Sequence, residues 1–252
     1  MYQEERLLEI IEYLKIHERI SVNEMMDEFN ISRDTARRDL VKLEEKNAIV
    51  RTRGGAILPK KKEEIKSYSD RLQFDSDVKT KIAKRAQSLI QRRDTLLFDT
   101  STTVQYLAEI LTEKDAVVLT NSIHQAQILS QKPNVEIHLL GGILNKEHGF
   151  LYGSSLIERL NHYYVDKVFI GAAGLSVKGF TYPHEEDAMV KKEMTRHGEQ
   201  VIVLVDHTKF RKKQLYRSVT FQDVDIIITD RTPDSDIVSL LQEYNVELII
   251  VE

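Results

Sequence analysis

Apolar residues follow two regimes along the chain. Up to about residue 58 they recur at helical spacing, as Leu7, Ile10, Ile11 and Leu14, then Val22, Met25, Met26 and Phe29, then Ala36, Leu40 and Leu43. Each set lines one face of an amphipathic helix. Ser21 and Glu24 have the serine-x-x-glutamate form that opens the second helix, and Ser32 suits the cap of the third. Residues 49–52 and 56–58 read as two short strands turned by Arg53-Gly54-Gly55. From about residue 78, short apolar runs alternate with amphipathic stretches. Strands are expected at 95–98, 116–119, 135–140, 167–170, 200–205, 225–228 and 247–251, with helices at 79–90, 104–111, 123–130, 154–163, 185–197 and 235–244.

Three helices followed by a hairpin make a winged helix-turn-helix over residues 1–60. Strands alternating with helices predict an α/β domain over 78–252, with a mostly parallel sheet covered on both faces. Residues 61–77 are charged and poor in aliphatics, so a linker is expected there, although Tyr68, Leu72 and Phe74 could dock on either domain. With 41% apolar residues in 252, the chain has ample material for a large second core.

Charge sharpens the reading of the first domain. The whole chain carries 36 Lys and Arg against 40 Asp and Glu, which argues against a general polyanion binder. Residues 31–62, however, hold ten basic and four acidic side chains. On the third helix Arg38 points away from the apolar stripe, flanked by Thr35, Arg37 and Lys42. Such a helix enters the major groove of DNA while nearby basic groups hold phosphate. The candidate DNA contacts are Ser21, Ser32, Arg33, Thr35, Arg37, Arg38 and Lys42, with Arg51, Arg53, Gly54 and Gly55 on the wing. The run Lys60-Lys61-Lys62 is weak evidence alone, since such runs are commonly solvated.

The second domain carries its chemistry at strand ends. Asp99-Thr100-Ser101-Thr102-Thr103, Thr120-Asn121-Ser122, Gly141-Gly142, Gly171 with Gly174, Asp206 with Lys209, and Thr229-Asp230 follow successive expected strands. In open α/β sheets, ligands bind outside the carboxyl ends of the strands. Ser101, Thr102 and Thr103 precede a helix, where hydroxyls, free N–H groups and the helix dipole suit a phosphate. Lys209 would add counter-charge, and Asp99 or Asp206 would accept from sugar hydroxyls. A small polar effector is expected there. His162, His184 and His207 lack metal-ligand spacing and read as ordinary or polar pocket-lining side chains, so no metal is expected. The chain has no dinucleotide fingerprint or phosphate loop, so no nucleotide cofactor is expected. The absence of cysteine and of any apolar stretch near 20 residues predicts a cytoplasmic protein.

These residues together resemble the DeoR family of bacterial transcription regulators. The resemblance rests on Ser32, Thr35, Arg37-Arg38-Asp39-Leu40, Leu43 and Arg51 with Gly54-Gly55-Ala56 in the first domain. In the second it rests on Asp99, Thr102-Thr103, Thr120-Asn121-Ser122, Gly141-Gly142, Phe169-Ile170-Gly171-Ala172, Gly174, Gly179-Phe180-Thr181 and Asp206-His207-Thr208-Lys209-Phe210. It implies a sugar-phosphate-sensing domain with a fold similar to ribose-phosphate isomerases and a head that represses a carbohydrate-use operon as a dimer or tetramer. Three positions depart from the family pattern: Ser101 stands for glycine, Ala36 for isoleucine and Arg53 for histidine. Two other functions fit the same residues, a sugar-phosphate isomerase-like enzyme and a ligand-independent DNA-binding activator.

Overall fold

A computed structural model describes residues 2–46, 48–58, 67–112 and 115–251. The chain divides into two compact units, 1–64 and 65–252.

In the first unit, helix α1 (Gln3–His17) leads through strand β1 (Arg19–Ser21) into α2 (Val22–Phe29) and α3 (Arg33–Glu45). Strands β2 (Val50–Thr52) and β3 (Gly55–Ile57) follow. The apolar faces meet as expected: Leu7, Ile10, Leu14, Met25, Ala36, Leu40 and Leu43 form one core with Ile20, Ile49 and Ala56. Strand β1 was not expected. It completes an antiparallel sheet ordered β1-β3-β2, with Ser21 opposite Gly55. A Cβ on Gly55 would overlap the Ile20 carbonyl oxygen, so only glycine lets β3 lie this close to β1.

The second unit opens with α4 (Tyr68–Gln73) and α5 (Ser76–Gln87). The linker expected through residue 77 therefore gives way to structure by Tyr68, which buries its ring on this unit. Then come β4 (Thr95–Phe98), α6 (Thr102–Ile110), β5 (Val117–Thr120), α7 (Ile123–Leu129) and β6 (Glu136–Leu139). A hairpin of β7 (Ile143–Asn145) and β8 (Phe150–Tyr152) precedes α8 (Ser154–Leu160). Next are β9 (Val165–Gly171), β10 (Gly174–Ser176), β11 (Gly179–Tyr182), α9 (Glu185–Met194) and β12 (Gly198–Leu204). The chain ends with β13 (Tyr216–Arg217), β14 (Ile226–Thr229), α10 (Ser235–Glu243) and β15 (Glu247–Ile250).

Seven strands form one sheet in the order β15-β14-β12-β9-β4-β5-β6, and every pairing in it is parallel. Alternate residues feed two cores. Leu97, Val168 and Val203 face α8, α9 and α10, while Leu96, Phe98, Phe169 and Ile202 face α5 and α6. The chain runs outward through β5 and β6, then returns to place β9 beside β4. That reversal puts the topological switch point, where open α/β sheets hold ligands, between the ends of β4 and β9. A small antiparallel sheet, β10-β11-β13, and the β7-β8 hairpin fold over this edge. Neither was expected, because their two- to four-residue strands are too short to show a period.

Candidate functional site

On the first unit, the residues expected to meet DNA divide by what they touch. Ser32 caps α3, its Oγ accepting from Thr35 N at 3.2 Å. Ser21 caps α2 in the same way, accepting from Glu24 N, while its own N–H donates to the Glu24 carboxylate at 2.6 Å. That backbone hydrogen bond leads the causes that hold the Glu24 carboxyl below its ordinary range. Arg33 donates to Asn23 Oδ1 at 2.8 Å and Lys42 reaches back to Gln3. Thr35 is half-buried, whereas Arg37 and Arg38 stand exposed on α3 without a protein partner among the described residues. On the wing Arg53 and Gly54 are exposed, the Gly54 carbonyl accepts from Val22 N, and Arg51 keeps a buried Nε without an acceptor. The lysine run 60–62 lies outside the described residues.

Sequence reasoning missed what holds this helix in place. Asp39 is fully buried. It accepts from Arg6 Nε at 2.6 Å and Gln3 Nε2 at 2.8 Å, tying α3 to α1. The i+3 step from Ala36 to Asp39 carried the signal, since it puts the carboxylate on the buried stripe.

In the second unit the expected strand-end residues come together, many already engaged. Asp99 lies buried at the end of β4. Its Oδ1 accepts from Ser101 N at 2.8 Å, and its Oδ2 from Gly171 N at 2.8 Å and Lys191 Nζ at 2.5 Å. Asp206 likewise receives Thr208 N at 2.9 Å, the Thr208 hydroxyl and Lys209. Burial alone would raise its carboxyl, but Lys209 and Thr208 outweigh that and hold it low. Both carboxylates already accept from protein donors, which ties the loops at these strand ends together. His207 is similarly paired with Asp230, Nδ1 to Oδ2 at 2.6 Å.

Ser101 caps α6, its Oγ accepting from Val104 N at 3.1 Å. Thr102 and Thr103 are buried in the first turn, where N–H groups have no acceptor within the helix. Thr120 Oγ1 receives Ser122 N, and Ser122 caps α7, so both hydroxyls serve the turn. Asn121 differs: its amide nitrogen donates to the Leu151 carbonyl at 3.0 Å, while its buried Oδ1 has no partner. Gly141 and Gly142 lie beyond edge strand β6. Gly142, at φ 112°, approaches the Tyr152 carbonyl too closely for any side chain, which makes it a turn requirement. Gly174 is packed against Lys212 and Thr181 in the small sheet.

The orphaned polar atoms define the site more sharply than the expected residues do. Besides Asn121 Oδ1, buried atoms without partners include Arg71 Nε, Thr100 Oγ1, both His148 ring nitrogens, Tyr182 Oη, His184 Nε2 and Asp187 Oδ1. Several of them are neighbours. The His148 and His184 rings are 4.7 Å apart, Lys191 Nζ sits 5.0 Å from the Tyr182 ring centre, and Lys191 lies 3.6 Å from Asp187. Buried polar groups in a folded protein are normally satisfied, so this concentration marks a place for a polar molecule or water. Burial pushes the Asp187 carboxyl up, with Asp99 adding to the effect against Lys191. Burial disfavours the Lys191 ammonium, but Asp187 and Asp99 overcome it and hold its pKa above the ordinary value. Burial also lowers the His148 imidazole, and the Arg71 charge lowers it further. The described residues contain no cluster fit for a metal ion and no helix long and apolar enough to cross a membrane.

Two family models match the chain. A model of the DeoR-like helix-turn-helix domain matches residues 6–62, and one of the DeoR C terminal sensor domain matches residues 75–231. The chain is 51% identical to the HTH-type transcriptional repressor GlcR of Bacillus subtilis (strain 168), over 100% of this chain and 98% of that protein. It is 28% identical to the glycerol-3-phosphate regulon repressor of Escherichia coli (strain K12), over 98% and 99% of the two chains. Among solved structures, a D-ribose-5-phosphate isomerase in complex with phospho-erythronic acid overlaps 54% of each chain at 20% identity and a TM-score of 0.39. With a recognition helix and wing in one unit, a strand-end polar cluster in the other, and both family models matched in order, the chain belongs to the DeoR family of DNA-binding transcription regulators.

Proposed function

We propose that the protein represses a carbohydrate-use operon and is released from its operator when a phosphorylated sugar occupies the polar cluster of the second unit. Arg37 and Arg38 read or grip the major groove, with Arg51 and Arg53 holding phosphate from the wing. The first turn of α6, with Thr102 and Thr103, takes the phosphate of the effector, and Lys209 lends counter-charge. Asn121, His148, Tyr182, His184 and Asp187 receive its hydroxyls. Asp99, Asp206, Ser101, Thr120, Ser122 and the glycines 141, 142, 171 and 174 shape the loops. A dimer or tetramer in the cytoplasm would span repeated half-sites.

One observation carries this reading: buried orphaned donors and acceptors gather beside a helix start at the switch point, in a chain that is a full-length relative of a transcriptional repressor. The pocket is read as a sensor, without turnover of the sugar phosphate. Release requires reciprocity, so the effector binds more weakly when operator is present.

The test is genomic capture. Purified protein is incubated with fragmented DNA of its own genome at physiological salt, with and without a pool of sugar phosphates, and the retained DNA is sequenced. A few repeat-containing sites lost on adding the pool are expected. Sites that survive every sugar phosphate would overturn the effector part, and the absence of enriched sites would overturn the regulator reading.

A further inference from the structure

Arg71 is a half-buried cation without a salt bridge among the described residues. It sits on α4, its guanidinium 5.5 Å from the Tyr68 ring centre and its Nε buried with no acceptor. The two carboxylates whose charges act on it, Asp187 and Asp99, are each paired with Lys191. Burial disfavours its charge, yet a guanidinium does not give up its proton in a protein. Its buried Nε, left without an acceptor, offers an arriving anion a donor that is otherwise unsatisfied.

The rest of α4 is pinned. The Tyr68 ring stacks on His124 at 4.3 Å, and its hydroxyl donates to Gln105 of α6. Tyr106 of α6 donates to the Leu72 carbonyl, and Lys79 Nζ holds the carbonyls of Arg71 and Phe74. These contacts place Arg71 beside the first half of α6, on the side where orphaned groups gather.

We propose that Arg71 clamps the anionic group of the ligand against the first turn of α6. This rests on the reading of the polar cluster as the sensor site. A planar guanidinium fork beside a helix N-terminus is matched to a phosphate dianion, which takes a bidentate pair from one and N–H donors from the other. The unphosphorylated sugar lacks the group that Arg71 needs.

The experiment uses the full chain, with ribose 5-phosphate, fructose 6-phosphate and glycerol 3-phosphate as probes, each beside its unphosphorylated counterpart. Titration calorimetry measures probe binding, operator retention measures release, and amide exchange is followed over residues 67–74. In the wild type, at least one phosphorylated probe should bind, slow exchange across α4 and release DNA. Arg71→Ala should weaken that probe at least about tenfold, lose the slowing and stay on DNA when the probe is added. Arg71→Met keeps the packing and serves if the alanine variant does not fold. Wild-type response with undiminished binding and release in the Arg71 variants would overturn the clamp. Failure of every phosphorylated probe on the wild type would instead overturn the sensor reading beneath it.

Discussion

Ser101 occupies the space that a side chain at position 171 would need: a Cβ on Gly171 would overlap both Cβ and Oγ of Ser101. The two residues belong to the strands that meet at the switch point. Ser101 follows β4 and caps α6, Gly171 ends β9, and Asp99 accepts from the backbone N–H of each. The contact therefore sets how closely the two central loops approach. Gly171→Ala should destabilise the second unit by about 1–3 kcal/mol through overpacking. Ser101→Gly alone should cost only a few tenths, since glycine is a tolerable cap. The double variant should recover much of the Gly171→Ala loss. Urea unfolding of the three variants measures this coupling, and strict additivity would show that the two side chains do not share the space.

The same strand ends show where sequence was informative. The strand expected at 95–98 is the observed β4, and the other six expected strands of the sheet lie within a residue or two of their observed bounds. Strands buried on both faces are continuous apolar runs, which are visible without tertiary knowledge. Asp99, Thr102 and Asn121 were legible as site candidates because they follow such runs directly. Arg71, His148, Tyr182, Asp187 and Lys191 were not. They come from a helix in the expected linker, a hairpin loop, a short strand and α9, elements brought to the site only by tertiary packing. Asp187 and Lys191 are four apart on a charged helix, a pattern that ordinarily marks a solvated face.

In the first unit, fold and recognition should separate between two adjacent residues of α3, Asp39 and Arg38. Asp39 is fully buried and pairs with Arg6, so Asp39→Ala removes the carboxylate that ties α3 to α1 and should cost roughly 3–5 kcal/mol of stability in this unit. Binding to operator and random DNA should fall together. Arg38 is exposed, so Arg38→Ala should leave stability almost unchanged and reduce discrimination between operator and random DNA by about 1–3 kcal/mol if it reads a base. Equal loss on both DNAs, at unchanged stability, would assign Arg38 to phosphate.

Lys191 and Lys209 invite a parallel comparison in the second unit. Lys191 bridges Asp99 and Asp187 in the interior, so Lys191→Met strands two buried carboxylates and should destabilise by about 3–5 kcal/mol. The Lys209 side chain is 25% exposed and pairs with Asp206 at 3.3 Å. Lys209→Ala should cost less, about 1 kcal/mol, while weakening release of operator by phosphorylated sugars. Denaturation curves and operator titrations on both variants decide the matter. Normal release in Lys209→Ala would remove that lysine from the effector's reach.

Lys79 gives the protein a pH dependence that can be isolated. Burial, aided by the charges of Lys209 and Arg71 and opposed by Asp206, brings its ammonium down to about 8. A neutral amine still has two hydrogens for the two carbonyls it holds, those of Arg71 and Phe74, so losing the proton need not release α4. The unfolded chain keeps the ordinary lysine value near 10.4. Between about pH 8 and pH 10.4 the unfolded state therefore binds more protons than the folded one, and stability contributed at this site rises with pH. Below pH 8 the amine is protonated in both states, and the folded state bears the whole burial cost. Chemical denaturation at pH 7, 8, 9 and 10, for the wild type and Lys79→Met, removes the contributions common to both. The wild type should gain on the variant by up to about 3 kcal/mol across that window. A flat difference would mean that Lys79 keeps an ordinary pKa in the folded protein, and a falling one would mean that its carbonyl partners stabilise the charge more than burial opposes it.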